Sequence, residues 1–129
     1  MDRKIKRSHI PTETYIRDIV VLGKSIKVLG SNDIGTVDPT RDGVALGTWD
    51  SRMKTIRIFT GNKEYEYQDI EVLTSFLHEL THAILDGVGI LGELIDNGKE
   101  ETFITTFCPV LADTLTRNKL INTKWRKKK

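Results

Sequence analysis

The spacing of apolar residues changes period about halfway along this chain of 129 residues. In the first half, residues 16–22 and 25–30 are β-branched-rich runs separated by Gly23-Lys24, which reads as a hairpin turn. Residues 31–43 are dense in Gly, Asn, Asp and Pro and read as a loop. A second hairpin follows, with strands over 44–49 and 53–60 around a turn at Asp50-Ser51-Arg52. In its second strand Ile56 and Ile58 alternate with Thr55, Arg57 and Phe59, the pattern of a strand with one solvated face. From Gln68 onward Ile70, Leu73, Leu77, Leu80 and Ile84 recur at three and four, a helical stripe that ends near Asp86-Gly87 with Gly87 as the cap. A glycine-rich connection leads to a second helical pattern through Phe103, Phe107, Val110 and Leu111, with Leu115 beside it. Pro109 falls inside that pattern and is expected to kink the helix or begin a new one. Strands first and helices second predict an α+β fold: a short N-terminal antiparallel sheet of hairpins followed by two helices.

Length and composition bound this to one domain with an ordinary globular balance, 38% hydrophobic and 29% charged. The single cysteine, Cys108, excludes an internal disulfide and suits a reducing compartment. No apolar run reaches the roughly 20 residues of a membrane helix, and no h-region follows the basic start, so a cytoplasmic protein without membrane contact is expected. The net charge of +2 conceals a segregation. Residues 1–10 carry +3 and residues 117–129 carry +7, which leaves −8 for the stretch between. The chain therefore divides into a basic tail (1–10), a domain (11–117) and a second basic tail (118–129), and only the tails are candidates for nucleic-acid contact.

The first helix carries the chemistry. Residues 78–82 read His-Glu-Leu-Thr-His, an H-E-x-x-H pattern. Residues four apart lie one helical turn apart on the same side, so the imidazoles of His78 and His82 can share one metal ion. Glu79 is turned about 100° from His78 by the helix pitch, beside the ion and not at it, which suits a base acting on bound water. Three fixed positions recur by chance on the order of once in a few hundred chains of this length. Here, however, Glu71, Ser75, His78, His82 and Asp86 form one polar strip opposite the leucines, a placement that core packing does not explain.

A third ligand has to come from elsewhere. The only other histidine is His9 in the N-terminal tail, and Leu85 and Val88 stand where an elongated three-histidine motif needs Gly and His. A carboxylate of the second helix remains, Glu100 or Glu101. Glu101 aligns with Thr105, Cys108 and Ala112, a small-residue strip on which another helix can dock, whereas Glu100 projects toward Phe103, Phe107 and Leu111. Glu101 is the better ligand on that ground; Glu93, Asp96 and Asp86 are alternatives. Cys108 reads as a small core residue beside the ligand helix.

His-Glu-Leu-Thr-His-Ala-Ile-Leu over 78–85, followed by Glu-Thr-Phe-Ile-Thr-Thr-Phe over 101–107, resembles the Glu-type zincins, or gluzincins. More closely the chain resembles small phage- and prophage-encoded zinc metallopeptidase-like proteins, in which a Gly-x-x-Asp hairpin, here Gly47-Thr48-Trp49-Asp50, precedes the metal helix. The resemblance covers about residues 18–116. It implies Zn²⁺ held by His78, His82 and Glu101, with Glu79 as general base. Larger gluzincins add a His or Tyr beyond the third ligand; this chain has no His after 82 and no Tyr after 67, leaving Tyr65, Tyr67 or the metal for that role.

These readings predict a zinc-dependent peptidase acting on a protein or peptide, as a monomer or small oligomer, in the host cytoplasm if phage-encoded. The strand ending in Gly47, Thr48 and Trp49 is the expected edge on which an extended substrate pairs. Two other classes compete: a non-catalytic zinc-binding interaction module, and a nucleic-acid-associated factor acting through its tails. The retention of Glu79 favours catalysis, because a purely structural site needs ligands and no base.

Overall fold

A computed structural model describes residues 12–37, 46–63, 66–88 and 97–121. Four strands form one sheet: β1 (Glu13–Val21), β2 (Lys24–Ser31), β3 (Gly47–Asp50) and β4 (Thr55–Phe59). A short helix α1 (Ile34–Val37) follows β2, and two long helices, α2 (Asp69–Gly87) and α3 (Asn97–Arg117), follow the sheet. The fold is α+β, as the change of period implied.

The sheet order is β1-β2-β4-β3. Both hairpins are present and antiparallel, but β2 pairs with β4 in parallel, so the sheet is mixed and not purely antiparallel. The reason is burial: Val28, Ile56 and Ile58 have no exposed surface, and the parallel pairing places all three in the middle of the sheet, beneath α2. Each such side chain contributes about 1.5–3 kcal/mol when removed from water. Because β4 is an interior strand, its second face is covered as well. Thr55 and Phe59 are buried, Phe59 against the ring of Tyr67 at 5.5 Å, and only Arg57 on that face reaches out, to Glu13 at 2.8 Å. The solvated face expected for this strand is thus largely closed.

The turn of the first hairpin is Leu22-Gly23, one residue earlier than expected. Both have positive φ, 52° and 78°, as a two-residue turn matched to strand twist requires. The expected loop over 31–43 contains α1, which Asp33 starts by accepting hydrogen bonds from the backbone N–H and the hydroxyl of Thr36, each at 3.0 Å.

Helix α2 begins at Gln68, whose backbone N–H donates to the Glu71 carboxylate at 2.8 Å. At the other end Gly87 is the last helical residue and Val88 the cap, its N–H donating to the carbonyl of Ile84. The apolar stripe is broader than periodicity implied, because α2 packs against the sheet on one flank and α3 on another. Val72, Leu73, Phe76, Leu77, Ala83 and Leu85 are buried, while Ile70 and Ile84 at the margin are 37% and 38% exposed. Ile84 instead borders an open apolar groove of about 630 Å³ with Phe76, Leu80, Val20, Leu22 and Ile121. Helix α3 continues through Pro109 as one element. No helix among the described residues is long and apolar enough to cross a membrane.

Candidate metal centre

Helices α2 and α3 meet along Ile104, Cys108 and Ala112, all without exposed surface. Cys108 Sγ lies 3.5 Å from the hydroxyl of Thr81, and burial, with the nearby Glu79 carboxylate, raises its thiol pKa, so it serves packing as expected. Glu100 and Glu101 stand four and three residues before Ile104. They therefore straddle the line of contact, and both carboxylates reach the histidines across it.

Glu101 offers one oxygen to each imidazole. Its Oε2 is 3.3 Å from His78 Nε2, and its Oε1 is 3.0 Å from His82 Nε2. One donor atom from each of the three residues fits within a span of 4.8 Å. Two imidazole nitrogens and a carboxylate oxygen are a donor set suited to zinc, and metal–ligand bonds of about 2.0–2.1 Å set neighbouring tetrahedral ligands roughly 3.3 Å apart. The two carboxylate–imidazole separations, one to each oxygen of Glu101, lie near that spacing.

Glu100 supplies what spacing alone did not show. Its Oε1 is 2.8 Å from His82 Nδ1, and its side chain is only 19% exposed. A neutral His82 that donates Nδ1–H to Glu100 turns the lone pair of Nε2 toward the Glu101 oxygen. Two acceptors then face one another at 3.0 Å, an arrangement that needs either a second ring proton or a cation between them. The flank of the ligand set is therefore shaped for positive charge.

The electrostatics agree with a ligand role. Burial pushes the pKa of His78 down, and His82 adds to this against the opposing pull of Glu101, so the neutral imidazole that binds metal is favoured. Burial pushes the Glu101 carboxyl up, but the charges of His78 and His82, with hydrogen bonds from His82 and Thr105, outweigh it and hold the pKa below the ordinary value. Thr105 donates to Glu101 Oε2 at 3.2 Å and so steadies the carboxylate.

Glu79 lies on the sheet side of α2, only 8% exposed, and packs against Gly47 of β3. Strand alternation places Gly47 and Trp49 toward α2 and Thr48 away from it. The Trp49 indole donates to Asp86 at 3.4 Å, and the Thr48 hydroxyl donates to the carbonyl of Val37 at 2.8 Å. Asp86 thus acts as a partner of Trp49 and is outside the His78/His82/Glu101 cluster. The hydroxyl of Tyr67 shares a hydrogen bond of 2.7 Å with Ser75, one turn before His78. His9, Tyr65, Glu93, Asp96 and both basic tails beyond residues 12–121 lie outside the described residues.

The chain matches no protein-family model, no curated protein and no solved structure, so the meaning of the site rests on its own residues. Of the residues singled out by sequence, His78, His82 and Glu101 converge, Glu79 lies next to them in sequence but against β3, and Gly47 contacts Glu79. Glu100, which sequence reasoning weighed as a third ligand behind Glu101, instead meets the other nitrogen of His82. The available signal was its position one turn before Ile104, on the line that packs against α2.

Proposed function

We propose that this chain is a zinc-dependent metallopeptidase with His78, His82 and Glu101 as metal ligands and Glu79 as general base. The observation that carries the reading is the convergence of two imidazoles and a helix carboxylate, one turn apart and across a helix pair; the residue after His78 is a buried glutamate, packed against β3, that no ligand set requires. Zinc held there by His78, His82 and Glu101 would supply Lewis acidity. Glu101 offsets the charge of the ion, and Glu100 fixes the His82 tautomer so that Nε2 faces inward. Glu79 accepts a proton from the attacking water and returns it to the leaving amine.

Strand β3 stands at the end of the sheet order and its Gly47–Trp49 segment borders α2, which suits it to pair with an extended peptide and hold it across the ligand face. This disposition of base, ligands and edge strand supports the likeness to gluzincins and to the small phage-type metallopeptidase-like proteins. The test is hydrolysis of a denatured-protein or peptide-library substrate by the zinc-loaded chain beside Glu79→Gln. Retained zinc with activity lost in the variant supports the reading. Cleavage unchanged in Glu79→Gln refutes the general-base mechanism.

A further inference from the structure

A glycine in a strand often marks the close approach of another group to the backbone. Gly47 opens β3, and a Cβ built on it would lie 3.0 Å from Glu79 Cγ, 3.1 Å from Oε2 and 3.4 Å from Cδ. All three of the nearest atoms belong to one residue. The closest is Cγ, which the helix backbone holds within two bonds of Cα, so the obstacle is not the free end of a flexible chain.

Neither backbone at this contact yields easily. Helix α2 is anchored by Val72, Leu73 and Ala83 against the sheet, and β3 is held by its pairing with β4 and by the Thr48–Val37 hydrogen bond. The free space at Gly47 is therefore the space that the Glu79 side chain occupies. On the metallopeptidase reading, on which this inference rests, the position of that carboxylate decides whether it can act as a base.

We infer that Gly47 is a positioning residue for Glu79: by lacking a Cβ it lets the carboxylate lie against the β3 backbone, and any larger residue there displaces the base while leaving the metal ligands in place. The role differs from contact with substrate, because it acts in the free protein and through one side chain.

Cobalt(II) is the probe, since its visible absorption reports the surroundings of the ion without any substrate. The unmutated chain, Gly47→Ala and Glu79→Gln are titrated with Co²⁺, and the pH midpoint of the cobalt spectrum is recorded for each. Gly47→Ala is expected to bind Co²⁺ with well under the tenfold loss that marks damage to the surroundings of the ligands. Its midpoint is expected to move from that of the unmutated chain in the same direction as Glu79→Gln, whose loss of a nearby charge shifts it by about one pH unit. A Gly47→Ala profile that coincides with the unmutated one overturns the inference and leaves the metal site standing. A Glu79→Gln profile that coincides with it also overturns the inference, because the carboxylate is then remote from the ion. Failure of the unmutated chain to bind Co²⁺ refutes the metallopeptidase reading itself. If Gly47→Ala does not fold, Gly47→Ala/Glu79→Ala is expected to fold with the Tm of Glu79→Ala, since the obstructing side chain is gone; failure of that double variant to fold overturns the inference.

Discussion

Glu101→Ala and Glu100→Ala separate ligation from support at neighbouring positions. Alanine is the best helix former, which offsets the loss of a favourable N-terminal charge at Glu100, and circular dichroism controls for any change in α3. Glu101 places Oε2 3.3 Å from His78 Nε2 and Oε1 3.0 Å from His82 Nε2, and on the proposed reading it is one of three protein ligands. Zinc sites with four ligands bind with about 10–16 kcal/mol, or roughly 2.5–4 kcal/mol for each ligand, so removing one costs about a hundred- to a thousand-fold in affinity. Glu100 bonds Nδ1 of His82, and loss of such an orienting partner costs roughly 10- to 100-fold. Competition for Zn²⁺ against a chromophoric chelator at pH 7.5, with helicity followed by circular dichroism, measures both losses. An equal loss, or a larger one for Glu100→Ala, refutes the division of roles. No loss in either variant removes α3 from the site.

Other outcomes follow from the same geometry. In the metal-free protein, the lowered His78 pKa means that the unfolded state binds the proton first. Stability is then full above His78's ordinary value of 6.5 and falls as the pH drops from there toward the folded value, and His78→Gln removes that step in urea titrations from pH 8 to 5. Glu101 acts in the same sense at lower pH: its contribution is present above 4.5 and is lost as the pH falls through its lowered folded value. Leu22 sits at φ 52° and is 60% exposed, so Leu22→Asn, which accepts the left-handed region more readily, is expected to raise stability by about 0.5–1 kcal/mol in denaturant melts. Leu73→Ala removes a side chain with no exposed surface between α2 and the sheet and should cost about 2–5 kcal/mol by the same assay.

Local features were legible from the residues alone. The change of period at Gln68 marks the start of α2, and the i, i+4 spacing of His78 and His82 needs nothing beyond helix pitch. What escaped depends on contacts between segments distant in sequence. The parallel pairing of β2 with β4 joins strands separated by α1 and β3, and neither strand's alternation specifies a neighbour's direction. Ile84 fits the helical stripe, yet it lies where α2 leaves the sheet and borders the groove.

The competition between Glu100 and Glu101 shows the limit most clearly. Helix pitch separates them by about 100°, but the line of contact with α2 runs between them, so Glu100 meets Nδ1 of His82 while Glu101 meets the Nε2 atoms of both histidines. Periodicity identifies the face of a helix without giving the depth or angle at which another helix crosses it. Gly47 illustrates the converse. Its place in the hairpin was visible, whereas its partner Glu79 became apparent only when α2 was laid on the sheet.

Zinc content of the purified protein tests the account most directly. Elemental analysis of the chain prepared without chelator, beside His78→Ala, is predicted to give about one equivalent of zinc per chain and loss of most of it in the variant. Less than about half an equivalent in the unmutated chain after incubation with zinc and desalting, or equal content in His78→Ala, would contradict a metal centre at His78, His82 and Glu101.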